Sequence, residues 1–319
     1  MKLILAVAVV CLAGLGQCVP KPYDFSYVPN RASPEVDSSE AGQFKGPRGT
    51  NCSCGWTYSD GGRIVGGKEA KVNQYPYMAG IGYVDPRNKQ MLVGVFCGGT
   101  IVTEFHVLTA AHCTYEEETY DGLAVTIGDH DISRLYESKF TTMHEVANIV
   151  EHPLWSPKTL VNDVALIVLK TRIAFNAAVG PVCLPNRLPD IVGQKVKVIG
   201  WGDTKFYGDS NVLLKVNLKV LPLKVCAENY PKKPIPLSPS TQLCTFSLDK
   251  DSCQGDSGGP VTWLDPDTNR FTLVGIVSYG TGCATMIPGV NTLVSHFMPW
   301  IQKTIKETTP VPVSTCAKV

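Results

Sequence analysis

The sequence predicts an all-β protein, a set of short antiparallel strands closed into barrels or a sandwich, with one α-helix at the C-terminal end. Two observations carry this. From Ile64 onward short apolar segments recur with turn residues between them: "MLVGVFCGGTIV", "VLTAA", "LAVTIG", "VALIVL", "QKVKVIGWG", "LLKVNLKVL", "FTLVGIVSYG" and "GVNTLV". Many are rich in β-branched residues and several alternate apolar with polar. Only the end, "VSHFMPWIQKTIKE", has helical spacing, with Phe297, Trp300, Ile301 and Ile305 on one face. Pro299 suits such a helix only in its first turn. The tail after it, residues 308–319, reads as irregular.

The N-terminus reads differently. Lys2 is followed by "LILAVAVVCLAGLG" and then by small and polar residues. A short basic region, an apolar core and small residues describe a secretory signal peptide, assigned to residues 1–18. The run is short for a membrane span, and Pro20 and Pro22 break it at once. Residues 19–63 read as a propeptide. Its Pro-rich stretch to about residue 50 has too little apolar surface to order itself. An extracellular destination turns the 12 cysteines into a disulfide question. Cys11 lies inside the signal, and cleavage after Cys18 leaves an even number. The net charge of +1 offers nothing to nucleic acid or another polyanion. No metal-ligand set and no cofactor motif stands out, and no membrane partner is expected.

The chemistry concentrates in three places. In "DSCQGDSGGP", residues 251–260, Ser257 sits among glycines. A serine is a poor nucleophile without a base and without backbone N–H groups aimed at the developing oxyanion. A tight turn here lets the amides of Gly255 and Ser257 serve as those donors. "VLTAAHC" puts His112 after a strand-like segment and beside Cys113, a candidate base held rigidly if that cysteine is bridged. "NDVALIVL" puts Asp163 at the head of an apolar strand, where a carboxylate needs a partner. The order His112, Asp163, Ser257 is one of several chain orders in which a Ser-His-Asp triad occurs.

With RIVGG, TAAHC, NDVAL, GWG and DSCQGDSGGP in order, the sequence resembles the trypsin-like (chymotrypsin-family) serine proteases from Arg63 to about Glu307. "CSCGW" and "YPYMAGI" are similar to arthropod venom or salivary members. The resemblance implies two packed antiparallel β-barrels with a C-terminal helix, a protease domain over residues 64–307 and a tail over 308–319. It implies a zymogen cut between Arg63 and Ile64, whose new α-ammonium pairs with Asp256. Asp251, with Ser252, Gly280 and Gly289, is implied to form a pocket for Arg or Lys, and Ser278 to bond Asp163. The implied disulfides are Cys97–Cys113, Cys226–Cys244, Cys253–Cys283 and Cys54–Cys183. Cys52 and Cys316 are left over, to pair with each other or with another chain. The implied partners are protein or peptide substrates, protein protease inhibitors, and an activating trypsin-like protease or the chain itself. The alternative is a catalytically silent member that acts as a binding or regulatory protein. The departures are Tyr279 where Trp is usual, Asn291 where Tyr is usual, and Lys139 near a position where calcium-binding members carry a carboxylate. No structural calcium ion is expected. "NCS" at Asn51 is a glycosylation sequon crowded by Cys52.

Overall fold

The computed structural model describes residues 40–58, 69–89, 92–115, 122–134, 137–202, 210–247, 256–281, 286–309 and 311–319. Its twelve strands close into two six-stranded antiparallel barrels. The first contains β1 (Met78–Val84), β2 (Leu92–Thr103), β3 (His106–Thr109), β4 (Leu123–Ile127), β5 (Thr142–Glu151) and β6 (Ala165–Leu169), in the order β1-β2-β3-β6-β5-β4. The second contains β7 (Lys195–Gly200), β8 (Leu214–Leu221), β9 (Gln242–Phe246), β10 (Pro260–Asp265), β11 (Arg270–Tyr279) and β12 (Gly289–Leu293), in the order β10-β11-β12-β9-β8-β7. Closure removes the unpaired edges that an open sheet of such apolar strands would expose. It also resolves the choice between barrels and a sandwich in favour of barrels.

Eight strands coincide with the eight segments read from the sequence. The other four were hidden for local reasons. β1, "MAGIGYV", is diluted by two glycines that packing requires: a Cβ on Gly82 would fall 2.0 Å from the carbonyl oxygen of Gly94. β5, "TMHEVANIVE", is largely polar or exposed. β9, only five residues long, is buried throughout, so it shows no alternation. β10 begins at Pro260, inside the glycine-rich motif "DSCQGDSGGP", whose glycines mask the start of a strand.

The barrels share one core. Tyr77, Ile101 and Leu108 of the first pack in the same cluster as Phe271, Leu273 and Ile276 of the second. The connection between barrels is stitched to β11, with Cys183 N–H donating to Phe271 at 3.3 Å and Leu273 N–H donating to Cys183 at 2.9 Å. The C-terminal helix, Val294–Thr308, buries Phe297, Ile301 and Ile305 as its spacing predicts. Pro299 stands in its second turn, not its first, where the missing N–H leaves one carbonyl of the first turn without its helical donor. A shorter helix, Leu223–Asn229, was not read from the sequence, because two turns after Pro222 are too brief to show a period. We call these α2 and α1.

Four disulfides are present among the described residues: Cys97–Cys113, Cys226–Cys244, Cys54–Cys183 and Cys52–Cys316. The last settles the open pairing of Cys52. Cys253 and Cys283 lie outside the described residues. The segment over 40–58, expected in part as a linker, is docked on the second barrel. Polar bonds hold it where apolar burial alone falls short: Gly46 N–H donates to Thr268 at 2.9 Å, Arg48 N–H to Asp267 at 2.7 Å, and the Arg270 guanidinium to the carbonyls of Gly42 and Phe44. The tail is ordered too, by bridges of Lys318 to Thr50 and of Ala317 to Leu184.

Candidate active site

Asp163 lies at the seam of the barrels and is 1% exposed. It precedes β6 after a turn in which Leu160 and Asn162 take positive φ, 58° and 57°. That turn aims the carboxylate back across the seam. His112 arrives from the opposite side, on a short 3₁₀ turn, Ala111–Cys113, that follows β3. The His112 backbone N–H donates to Asp163 Oδ1 at 2.9 Å, and His112 Nδ1 stands 2.8 Å from Oδ2. Holding the histidine by backbone and ring at once fixes its orientation. The second barrel closes the cage: Ser278 at the end of β11 donates its hydroxyl to Oδ2, and Thr292 of β12 donates to the Asp163 carbonyl at 2.6 Å. A buried carboxylate without such donors would cost several kcal/mol. The Cys97–Cys113 bridge ties the turn carrying His112 to β2.

Ser257 is seated against the same turn. Its carbonyl accepts from the Gly98 N–H of β2 at 2.7 Å. Gly258 next to it has φ +75°, and a Cβ there would fall 2.1 Å from Thr109 Oγ1 and 3.1 Å from Cys113 Sγ. Only glycine permits both that conformation and that approach. Gly258 N–H donates to Val277 at 2.9 Å, and Val277 N–H returns a bond to Gly259 at 3.0 Å. The serine is thus held between β2 of one barrel and β11 of the other. Gly98, Thr109 and Thr292 were missed in the sequence, where they look like ordinary strand residues; their roles come from contacts with residues far along the chain.

Asp256 is 9% exposed, and its carboxylate accepts from the Gly202 N–H at 3.0 Å. It fills the space that Cβ atoms on Gly200 and Gly202 would occupy, the latter falling 2.5 Å from its Cγ. This gives the glycines of "GWG" a steric reason. The Tyr279–Val290 pairing sets Gly280 and Gly289 at the ends of neighbouring strands, Gly280 exposed and Gly289 buried. Arg63, Ile64, Asp251, Ser252 and Gly255 lie outside the described residues. One group with metal-like spacing exists among the described residues, Cys97, His112 and Cys113. Its two sulfurs are bonded to each other and His112 Nδ1 faces Asp163, so it offers no thiolate ligand.

Burial perturbs the neighbourhood. Tyr279, beside Ser278, has its phenol pushed up to about 12 by desolvation, so it stays neutral through the working pH range. Lys233, near Tyr279, is held below the usual lysine range by burial, against the pull of the Asp163 charge. Tyr279 stands out in the sequence only as a departure from the usual Trp, and Lys233 has no signature there.

Two closed barrels meeting at an oriented histidine–carboxylate pair, with a serine wedged beside them, define the two-barrel serine protease class. The family model described as Trypsin matches residues 64–301. Over 267 residues the chain is 38% identical to a venom serine protease of Polistes dominula, covering 82% of this chain and 91% of that one. It is 38% identical over 259 residues to venom serine protease 34 of Apis mellifera, spanning 79% of this chain but 60% of that longer relative. A proclotting enzyme of Tachypleus tridentatus is 32% identical over 283 residues, 85% of this chain and 74% of its own. The chain belongs to the trypsin family of serine proteases. Among the described residues no helix is long and apolar enough to cross a membrane.

Proposed function

We propose that the chain is a secreted serine endopeptidase, made as a zymogen, cut between Arg63 and Ile64, and specific for peptide bonds after Arg or Lys. The observation that carries this reading is the pair of bonds from His112 to one buried carboxylate, through ring and backbone together. That arrangement leaves Nε2 as the working nitrogen of the imidazole. Ser257 attacks the substrate carbonyl as His112 takes its proton. Asp163 fixes the tautomer and stabilises the imidazolium, and the amides of Gly255 and Ser257 bind the oxyanion. His112 then gives its proton to the leaving amine, and water releases the acyl group.

Specificity rests on Asp251, six residues before Ser257, as the anionic floor of a pocket whose mouth Gly280 and Gly289 leave open. Activation rests on Asp256. The α-ammonium of Ile64 becomes the cationic partner of its carboxylate, and Ile64 and Val65 enter the interior. The relatives, a venom serine protease and a proclotting enzyme, favour extracellular protein substrates and control by protein inhibitors.

The test is kcat/KM for the chain cut at Arg63–Ile64 on matched peptides ending in Arg, Lys, Phe or Ala. Arg and Lys should exceed the others by at least about 100-fold, and Asp251→Ser should erase the gap. A wild-type preference for Phe or Ala would leave the triad and remove the pocket assignment.

A further inference from the structure

One cation beside the site has no anionic partner among the described residues. Lys233, half-buried in the loop after α1, holds its Nζ 4.3 Å from the centroid of the Tyr279 ring. No carboxylate among the described residues lies within ion-pair distance of it. The ring beneath is fixed. Tyr230 meets it edge-on, centroids 5.4 Å apart at 90°, and Gln242 Nε2 reaches its hydroxyl at 3.3 Å. Tyr230 is itself anchored by a hydrogen bond from its hydroxyl to the Pro288 carbonyl at 2.9 Å. An ammonium laid on an aromatic face and short of water gains from an anionic neighbour.

The shelf adjoins the reacting groups. Tyr279 follows Ser278, which bonds Asp163, and the Asp163 charge is felt at Lys233. The ladder between β10 and β11 ends at the Pro260–Ile276 pair, and Gly280 is exposed. The end of β11 therefore offers a strand edge to an incoming extended peptide. In such a peptide side chains alternate between two faces, and three residues span about 10 Å.

The chain itself carries a stretch with the matching chemistry. "SDGGR", residues 59–63, places Asp60 three positions before Arg63, with two glycines between that add no side chain. We propose that Lys233, laid on Tyr279, recognises an acidic side chain three residues before the cleaved Arg, and that the segment Asp60-Gly61-Gly62-Arg63 of a second copy of this chain is a substrate it fits. This deepens the protease reading above and rests on it. It makes activation self-propagating: each cut copy prefers the segment that keeps the next copy uncut.

The test uses the cut chain and three chromogenic peptides, Asp-Gly-Gly-Arg, Ala-Gly-Gly-Arg and Lys-Gly-Gly-Arg. In the wild type kcat/KM should fall in the order Asp, Ala, Lys, with Asp about five- to tenfold above Ala. Lys233→Ala should flatten the order and Lys233→Glu should reverse it. Because the order is read within each variant, a smaller folded fraction does not imitate it. Equal rates in the wild type, or the wild-type order kept in Lys233→Glu, would overturn the inference. Failure to cleave any of the three would remove the protease reading and this one with it. A second arm gives the cut enzyme the uncut Ser257→Ala chain as substrate. Adding Asp60→Ala to that substrate should slow the cut at Arg63 about five- to tenfold, and an unchanged rate would overturn the self-recognition.

Discussion

Asp163 accepts a backbone donor, faces an imidazole and accepts a hydroxyl, and each constrains the others. Replacing it with Asn keeps the volume but presents an amide N–H to the ring and favours the wrong tautomer. Asp163→Asn should lower kcat on the order of 10⁴-fold with little change in KM, as measured by steady-state kinetics on an Arg-ended peptide. A loss below tenfold would detach His112 from the carboxylate. His112, Asp163 and Ser257 stand out in the sequence because they put unusual residues in unusual company: a histidine beside a cysteine, a charge at the head of an apolar strand, a serine among glycines. Ser278 was legible only through family resemblance. Thr292 and Lys233 were not legible, because a threonine in a strand and a lysine in a loop acquire meaning only from what folds beside them.

At the same scale, His106 is fully buried in β3 between Thr103 Oγ1 at 2.6 Å and Thr308 Oγ1 at 3.0 Å. Burial pushes its imidazole down to about 4. The unfolded chain takes up that proton near pH 6.5 and the folded chain does not, so its contribution to stability is full above about pH 6.5. It declines as pH falls toward 4 and is flat below. The loss approaches about 3 kcal/mol across that window. His144 and His152 are lowered by burial as well and steepen the decline. Urea melts at pH 7, 5.5 and 4.5 should show the slope, and His106→Gln should reduce it. An unchanged slope in that variant would place the acid sensitivity elsewhere.

At the scale of elements, strands declared themselves where one face was buried or β-branched residues were dense, and hid where packing demanded glycine or where both faces were buried. The tail shows the limit of composition as a guide. Residues 311–319 have no periodicity, yet Cys316 is bonded to Cys52, Lys318 reaches Asp265 and Asp267, and Asn51 accepts the Ala317 N–H at 2.7 Å while donating to the Thr315 carbonyl at 3.2 Å. The Asn51 amide is thus a fastener for the tail. The intact mass of the protein made in a secretory host should lack a glycan at Asn51, and Asn51→Ala should hasten trimming of the tail by a carboxypeptidase. A glycan at full occupancy would contradict this role.

At the scale of the whole molecule, two covalent ties hold the N-terminal segment: Cys54 to the link between barrels and Cys52 to the tail. After cleavage at Arg63–Ile64 the segment should remain attached on non-reducing gels in Cys316→Ser, and separate only when Cys183→Ser is added. Release in the single variant would show that Cys54–Cys183 does not form. The fold as a whole was legible because five motifs, each with a physical reason, fall in one order along the chain. The docking of residues 40–58 was not, because it depends on backbone carbonyls of the β10–β11 turn, which every sequence supplies, and on Asn269 and Arg270 side chains whose partners are backbone groups more than 220 residues away.

The central claim is that Ser257 becomes a nucleophile when the chain is cut at Arg63–Ile64. A serine-directed phosphonylating reagent, added before and after the cut and followed by peptide mass mapping, reads this directly. The account predicts a single adduct on Ser257, forming at least about 100-fold faster after the cut and absent in Asp163→Asn on the same timescale. An adduct on another residue, or the same rate before and after the cut, would contradict it.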